Sequence, residues 1–264
     1  MHFTKMQGLG NDYLYVYGDV PENIADISKA LSDRHFGAGS DGMIYIAPCA
    51  SADFSMRIFN ADGSEANMCG NGIRCVGKYV YEKGYTDKTE LRIQTLSGIK
   101  TLYLDVAFGK VKSVRVDMGK AKVEGEKSIV VGGQSVVLSK VNIGNPHAVI
   151  FCRDAQEVSP EALGKAIETH EEFPGGVNVE FISVLQKDKL RMRVWERGSG
   201  VTLACGTGAC ASVAAAVKKG ICSADREVEV VLDGGSLFIR IDEGENVQMR
   251  GPAEFVFEGE SNAF

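Results

Sequence analysis

The chain reads as an α+β protein of two pseudo-symmetric halves, each a strand-rich shell (mixed sheet or barrel) around a central buried helix. Three observations predict this. An internal repeat matches two segments without a gap, one repeat carries a helix pattern that is apolar on every side, and most of the remainder alternates as short strands. Self-similarity is weighed first because it reveals architecture that local propensity misses.

Residues 54–84, FSMRIFNADGSEANMCGNGIRCVGKYVYEKG, lie over residues 190–220, LRMRVWERGSGVTLACGTGACASVAAAVKKG. Identities fall at Met56/Met192, Arg57/Arg193, Cys69/Cys205, Gly70/Gly206, Gly72/Gly208, Lys83/Lys219 and Gly84/Gly220. Each segment reads as strand, loop, glycine turn and helix. Met56–Phe59 and Met192–Trp195 have the apolar, β-favouring composition of short strands. Cys-Gly-x-Gly then supplies a turn that can take positive φ. The helices are expected over 73–83 and 209–219, each ending in Lys followed by Gly, a C-terminal signal. ACASVAAAV in the second is small and apolar all round, which suits a helix buried in a core.

The match extends outward, with Gly10-Asn11 corresponding to Gly144-Asn145 and Gly39 to Gly175. Strands are expected at 99–106, 111–117, 128–138, 227–232 and 236–241, with Gly and Asp/Asn turns between them. Two halves follow, residues 1–115 and 116–250, with 251–264 able to return to the first. The active cleft is expected between them.

Bulk properties narrow the function classes. The 264 residues carry a net charge of −6, which disfavours a nucleic-acid or anionic-membrane partner. Hydrophobic content of 44% and a mean hydropathy of −0.05 are those of an ordinary soluble protein. No apolar run approaches the roughly 18 residues of a membrane span, and the start MHFTKMQGLGND lacks a signal-peptide core. A cytoplasmic location is therefore expected. Seven irregularly spaced cysteines fit a reducing compartment better than a disulfide framework. With no Cys-x-x-Cys and no His pair at zinc spacing, a structural metal site is not expected. Cys49, Cys152 and Cys222 read as small buried hydrophobes, and Cys75 and Cys210 as helix-core residues.

Cys69 and Cys205 read differently, because each opens a helix. Free N–H groups and the positive end of the helix dipole favour a thiolate there and can also hold a carboxylate. Two such half-sites suit inversion of a stereocentre, where one group removes a proton from one face and another delivers a proton to the opposite face. Two thiols of reference pKa about 8.5 can exchange these roles.

The motifs NADGSEANMCGNGIRC (60–75), GNPHA (144–148), NVEF (178–181), ERG (196–198) and ACGTGA (204–209) resemble the diaminopimelate epimerase family, almost end to end from GLGND at 8–12. The resemblance implies interconversion of LL- and meso-diaminopimelate, without pyridoxal phosphate or metal, in lysine and cell-wall precursor synthesis. It also implies a homodimer. Cys69 and Cys205 match the family's catalytic base and acid. Gly70-Asn71 and Gly206-Thr207 match the backbone that holds the substrate carboxylate. Asn11, Asn60, Asn145, Asn178, Glu196 and Arg197 match substrate-binding positions, and His147 and Glu196 match positions that modulate the cysteine pair. Gly42 departs from the pattern, since some members carry a substrate-contacting Gln there.

Blander roles exist for several of these residues. A turn alone explains Asn11 and Asn145, a structural histidine explains His147, and a solvated strand end explains Glu196 and Arg197. Rival functions are another two-cysteine racemase of the proline racemase type, a dithiol redox protein using Cys69 and Cys205, and an amino-acid-binding protein without catalysis. The first motif of proline racemases reads M-C-G-H, whereas this chain has Met68-Cys69-Gly70-Asn71. A redox protein would need a thioredoxin-like motif or a resolving neighbour, and neither is present.

Overall fold

The hairpin that opens the chain shows how local chemistry sets up the rest. β1 (His2–Gly8) and β2 (Asn11–Tyr17) are joined by Leu9 and Gly10, at φ of 57° and 86°. Positive φ at both loop positions matches the right-handed twist of the flanking strands. Gln7 Oε1 accepts the Gly10 N–H at 2.9 Å, so Asn11 enters β2 in a fixed orientation.

The computed structural model describes residues 1–262, which form two units. One comprises Met1–Val116 and the chain from Gly251 onward, and the other Asp117–Arg250. Residues 263 and 264, at the end of the 251–264 segment, lie outside the described residues.

In the first unit, α1 (Ile24–Ser32) follows β2, then β3 (Gly42–Pro48), β4 (Phe54–Asn60) and the short β5 (Glu65–Ala66). α2 (Gly70–Glu82), β6 (Glu90–Thr95), β7 (Gly98–Ala107) and β8 (Lys110–Lys120), whose last residues from Asp117 belong to the second unit, complete the run. β1 and β2 pair antiparallel, β2 and β3 parallel, and β3 and β4 antiparallel. β4 pairs parallel with β6, and β6 and β7, then β7 and β8, pair antiparallel. Every residue from Gly70 to Val80 of α2 is buried.

The second unit repeats the order. β9 (Lys122–Val131), β10 (Gln134–Asn142), β11 (Pro146–Phe151) and α3 (Pro160–Glu168) lead into β12 (Asn178–Gln186), β13 (Lys189–Glu196) and β14 (Gly200–Val201). α4 (Gly206–Lys218), β15 (Glu227–Leu232), β16 (Gly235–Ile241) and β17 (Asn246–Gly251) follow. The pairing senses recur: β10–β11 antiparallel, β11–β12 parallel, β12–β13 antiparallel, β13–β15 parallel, β15–β16 and β16–β17 antiparallel. Finally β18 (Glu254–Glu260) pairs antiparallel with β1, as β9 does with β10. The protein is therefore α+β, with a strand-rich shell and a buried helix in each unit.

Strand register makes the repeat quantitative. Leu14 pairs with Met43, and Ala148 with Val179, so Tyr13 and His147 occupy equivalent positions, as do Ile44 and Glu180. These strands are buried on both faces: Leu14, Met43 and Ile44 in the first unit, and Val179, Phe181 and Ile182 in the second, are almost fully buried. Burial of each stabilises the fold by about 1.5–3 kcal/mol relative to exposure.

Several local expectations are corrected. Both buried helices begin three residues early, at Gly70 and Gly206 rather than 73 and 209. The Gly-x-Gly stretch is thus the first helical turn, and none of Gly70, Gly72, Gly206 and Gly208 takes positive φ. These glycines answer to space: a Cβ on Gly72 would lie 2.7 Å from Ile44 Cδ1. The expected strand 128–138 is a hairpin, since Gly132 and Gly133, at φ of 58° and 79°, turn β9 into β10. Gly39 and Gly175 stay aligned by the β3 and β12 register, but the positive φ of 73° at Gly39 recurs one residue later, at Gly176. Cys49 and Cys152 are only partly buried, leaving Cys222 alone of that trio in the core. Cys49 lies near Ser51 in a loop after β3, where hydrogen bonds from Ser51 draw its thiol below the ordinary value. Among the described residues, no helix is long and apolar enough to cross a membrane.

Candidate active site

Each motif cysteine is the N-cap of its buried helix. Cys69 has φ −134° and ψ 116°, Cys205 has φ −113° and ψ 110°, and both are extended just before the first helical turn. The Sγ of Cys69 accepts the Gly72 N–H at 3.3 Å, and the Sγ of Cys205 accepts the Gly208 N–H at 3.3 Å. A cysteine thus takes the capping role usual for Ser, Thr, Asp or Asn. The thiol sits where the helix dipole stabilises negative charge. First-turn N–H groups have no intrahelical acceptor, which is the requirement for holding an anion. Gly70 and Asn71 lie in that turn of α2, and Gly206 and Thr207 in that of α4.

Cys69 stands beside an amide that leads to an ion-paired carboxylate cluster. Its Sγ lies 3.2 Å from Asn11 Oδ1, and Asn11 Nδ2 donates to Asp41 Oδ2 at 2.7 Å. Asp41 and Asp12 are bridged by Arg34, at 3.0 and 2.7 Å. Tyr13, buried beside the thiol, is pushed far above its ordinary value by burial and then by the charges of Cys69 and Asp41. Asn60 closes β4 and donates to Ser64 Oγ at 3.0 Å, fixing the turn that follows.

Cys205 stands in a chain of ionisable groups. Its Sγ lies 3.5 Å from Thr207 Oγ1, which accepts from Asn145 Nδ2 at 3.4 Å. Asn145 Oδ1 is 3.1 Å from His147 Nε2, and His147 Nδ1 is 2.7 Å from Glu180 Oε1. His147 and Glu180 are fully enclosed, and Glu180 Oε2 has no hydrogen-bond partner. Leaving such an oxygen unpaired costs about 1–3 kcal/mol. Glu196, at the end of β13, accepts from Thr202. Burial, then the Glu196 and Glu180 carboxylates, push the Cys205 thiol well above its ordinary range. Burial likewise raises Glu196, and the Glu180 charge adds to the effect.

Asn178 and Arg197 form a second cluster. Asn178 Oδ1 accepts the Arg197 N–H at 3.0 Å while its Nδ2 donates to Pro146 O at 3.2 Å. Glu168 at the end of α3 holds the same turn, accepting from Gly198 N at 2.9 Å and Trp195 Nε1 at 2.6 Å. His147 and Arg197 both line a cavity of about 230 Å³, with Pro146 and Gly176. Among the described residues, no group of three or more His, Cys, Asp or Glu is placed to hold a metal ion.

Glu180 and Tyr13 are site components that the sequence does not single out, and Gly208, visible there as a turn glycine, proves to be a close-contact position. The available signal for Glu180 was a carboxylate inside the otherwise apolar run Val179–Ile182. Gly42 is explained by its neighbours: a Cβ there would stand 2.1 Å from Phe59 O, so this backbone excludes a Gln side chain. Gly208 is explained likewise, since a Cβ would lie 2.7 Å from Glu180 Oε1 and 3.2 Å from Cys205 Sγ. Alanine is the better helix former, but the clash outweighs that gain. Gly208→Ala is expected to lose about 1–3 kcal/mol of stability and to lower kcat by displacing Glu180. Urea unfolding and steady-state kinetics check this, and an unchanged midpoint with unchanged kcat would mean the backbone has room.

Comparison with known proteins places this geometry among relatives. A family model described as diaminopimelate epimerase matches residues 3–124 and 139–256. A diaminopimelate epimerase of Acetivibrio thermocellus is 48% identical, with 98% of each chain covered. That of Methanococcus maripaludis is 49% identical over 98% of this chain and 99% of its own. Among solved structures, a probable proline racemase from Agrobacterium radiobacter has a TM-score of 0.74 at 16% identity, covering 100% of this chain and 93% of its own. A PhzF-family phenazine biosynthesis protein from Bacillus anthracis has a TM-score of 0.77 at 16% identity, covering 99% and 98%. These two share the fold.

Proposed function

The chain belongs to the diaminopimelate epimerase family and is an isomerase of that family, and we propose that Cys69 and Cys205 are its base and acid. The substrate is diaminopimelate, whose LL and meso forms differ at one α-carbon. In one direction the Cys69 thiolate removes the α-proton and the Cys205 thiol delivers its own to the opposite face. The reverse direction exchanges the roles. As the proton leaves, charge spreads onto the neighbouring carboxylate. N–H groups of Gly70, Asn71, Gly206 and Thr207 meet that charge.

The remaining residues divide the work. Asn11, Asn60, Asn145, Asn178, Glu196 and Arg197 bind the substrate, with Arg197 taking the distal carboxylate. His147 and Glu196 adjust the proton affinity of the cysteine pair. No cofactor is called for, because two thiols supply both proton transfers. A homodimer in a reducing cytoplasm, where the cysteines stay as thiols, completes this reading.

The observation that carries the proposal is the duplicated cap: in both units a cysteine thiol accepts the third helical N–H at 3.3 Å. A structural cysteine has no reason to recur at that one position. The test is incubation of LL-diaminopimelate with the purified, reduced protein, with the isomers separated by chiral chromatography. Appearance of the meso form up to an equilibrium mixture is expected. A folded, reduced protein that leaves LL-diaminopimelate unchanged would overturn the assignment.

A further inference from the structure

The two half-sites share a backbone plan but not a charge. Under Cys205 lie Glu180 and Glu196 with His147, while the positions equivalent to Glu180 and His147 in the first unit are Ile44 and Tyr13. The reverse holds on the helices. Arg74 of α2 is fully buried, and its equivalent in the ungapped repeat is Cys210 of α4, a fully buried cysteine with no cationic side chain. A buried guanidinium keeps its charge, so its enclosure in the first unit needs a reason.

Arg74 is held firmly near the cysteine. Its Nη1 donates to the Gly70 carbonyl at 3.2 Å, one residue from Cys69, and its Nε donates to Pro252 O at 3.0 Å. A side chain at Gly8 would meet Nη2 at 3.1 Å, so the close approach of β1 also fixes it. Its field reaches neighbouring sulfur. Burial pushes Cys75 up to about 11, and the Arg74 charge acts against that push. Other groups near Cys69 include Asn11, Tyr13 and Tyr15 from β2, Cys75 along α2, and Asp41, which is held by Asn11 and engaged by Arg34.

We propose that Arg74 is a positioning residue whose buried positive charge makes Cys69 the anionic member of the cysteine pair, with Cys205 the protonated one. This rests on the two-cysteine reading above and adds to it a fixed resting polarity. A cation beside a thiol favours the thiolate, and two carboxylates beside the other favour the thiol.

Peptide-resolved alkylation with iodoacetamide across pH tests it without substrate. In the wild type the Cys69 midpoint should fall below that of Cys205. Arg74→Gln should raise the Cys69 midpoint by about 1 pH unit and leave Cys205 unmoved. The acid limb of kcat/KM should rise by the same amount, a change that mere loosening of the fold would not produce. Arg74→Lys, which keeps the charge, should restore most of the wild-type midpoint. An unmoved Cys69 midpoint in folded Arg74→Gln would overturn the proposal. So would a Cys205 midpoint equal to or below that of Cys69 in the wild type, which decides the matter even if the Gln variant does not fold. Loss of the epimerase reading itself would show separately, as wild-type protein that does not exchange the substrate α-proton.

Discussion

Cys69→Ser and Cys205→Ser are each expected to lower the rate of epimerisation by about a hundred- to ten-thousand-fold while leaving the fold intact. That is the range by which a positioned proton carrier accelerates a reaction. Serine fills the same cap and accepts the same N–H, so α2 and α4 should persist. Its hydroxyl is far too weak an acid to replace a thiol. Each variant removes the proton carrier of one face only. On an analogue bearing a β-leaving group, abstraction of the α-proton breaks the β-carbon–halogen bond and releases halide, with no second proton needed. Each variant should therefore keep elimination from the diastereomer whose α-proton faces its remaining cysteine. Wild-type epimerisation by either variant would contradict the two-base account.

Replacing Arg197 with methionine is expected to weaken diaminopimelate binding by about 2–5 kcal/mol, roughly thirty- to several-thousand-fold. The loss follows from leaving a carboxylate of the substrate unpaired. The turn bearing Arg197 is held through backbone groups, by Asn178 Oδ1 on Arg197 N and Glu168 on Gly198 N, so it should survive the substitution. The increase should appear in KM for diaminopimelate, while the Cys69 and Cys205 alkylation profiles stay in place. Unchanged KM and kcat would remove Arg197 from the site.

How much the sequence disclosed depended on whether the signal was periodic or spatial. The α+β class followed from the repeat around Cys69 and Cys205 and from strand alternation in segments such as 227–232, all visible along the chain. The hairpin at Gly132-Gly133 was missed because valines on both sides made 128–138 look like one strand, although a Gly-Gly pair is itself a turn signal. The glycines of the two caps were read for their conformational freedom. Their actual constraint is close approach, at Gly72 to Ile44 and at Gly208 to Glu180, residues far away in sequence.

The same limit explains what was missed around the thiols. Cys69 and Cys205 announced themselves by matched spacing, but their charges are set by residues on other elements. Glu180 reaches His147 across the parallel β11–β12 pairing, and nothing local to either residue reveals the contact. Arg74 looks like an ordinary helix-surface residue until the structure buries it completely. Tertiary contact, not propensity, decided each case.

Isotope incorporation on both sides of the reaction tests the two-base account most directly. LL-diaminopimelate is incubated with the wild-type protein in D₂O, and substrate and product are analysed early by mass spectrometry and NMR. Two cysteines with separate faces predict meso product carrying deuterium at the inverted carbon, while recovered LL substrate keeps its protium. The abstracted proton stays on Cys69 and can return only to its own face, and deuterium arrives from Cys205. Deuterium entering recovered LL substrate as fast as it enters the meso product, or product formed with protium at that carbon, would contradict it.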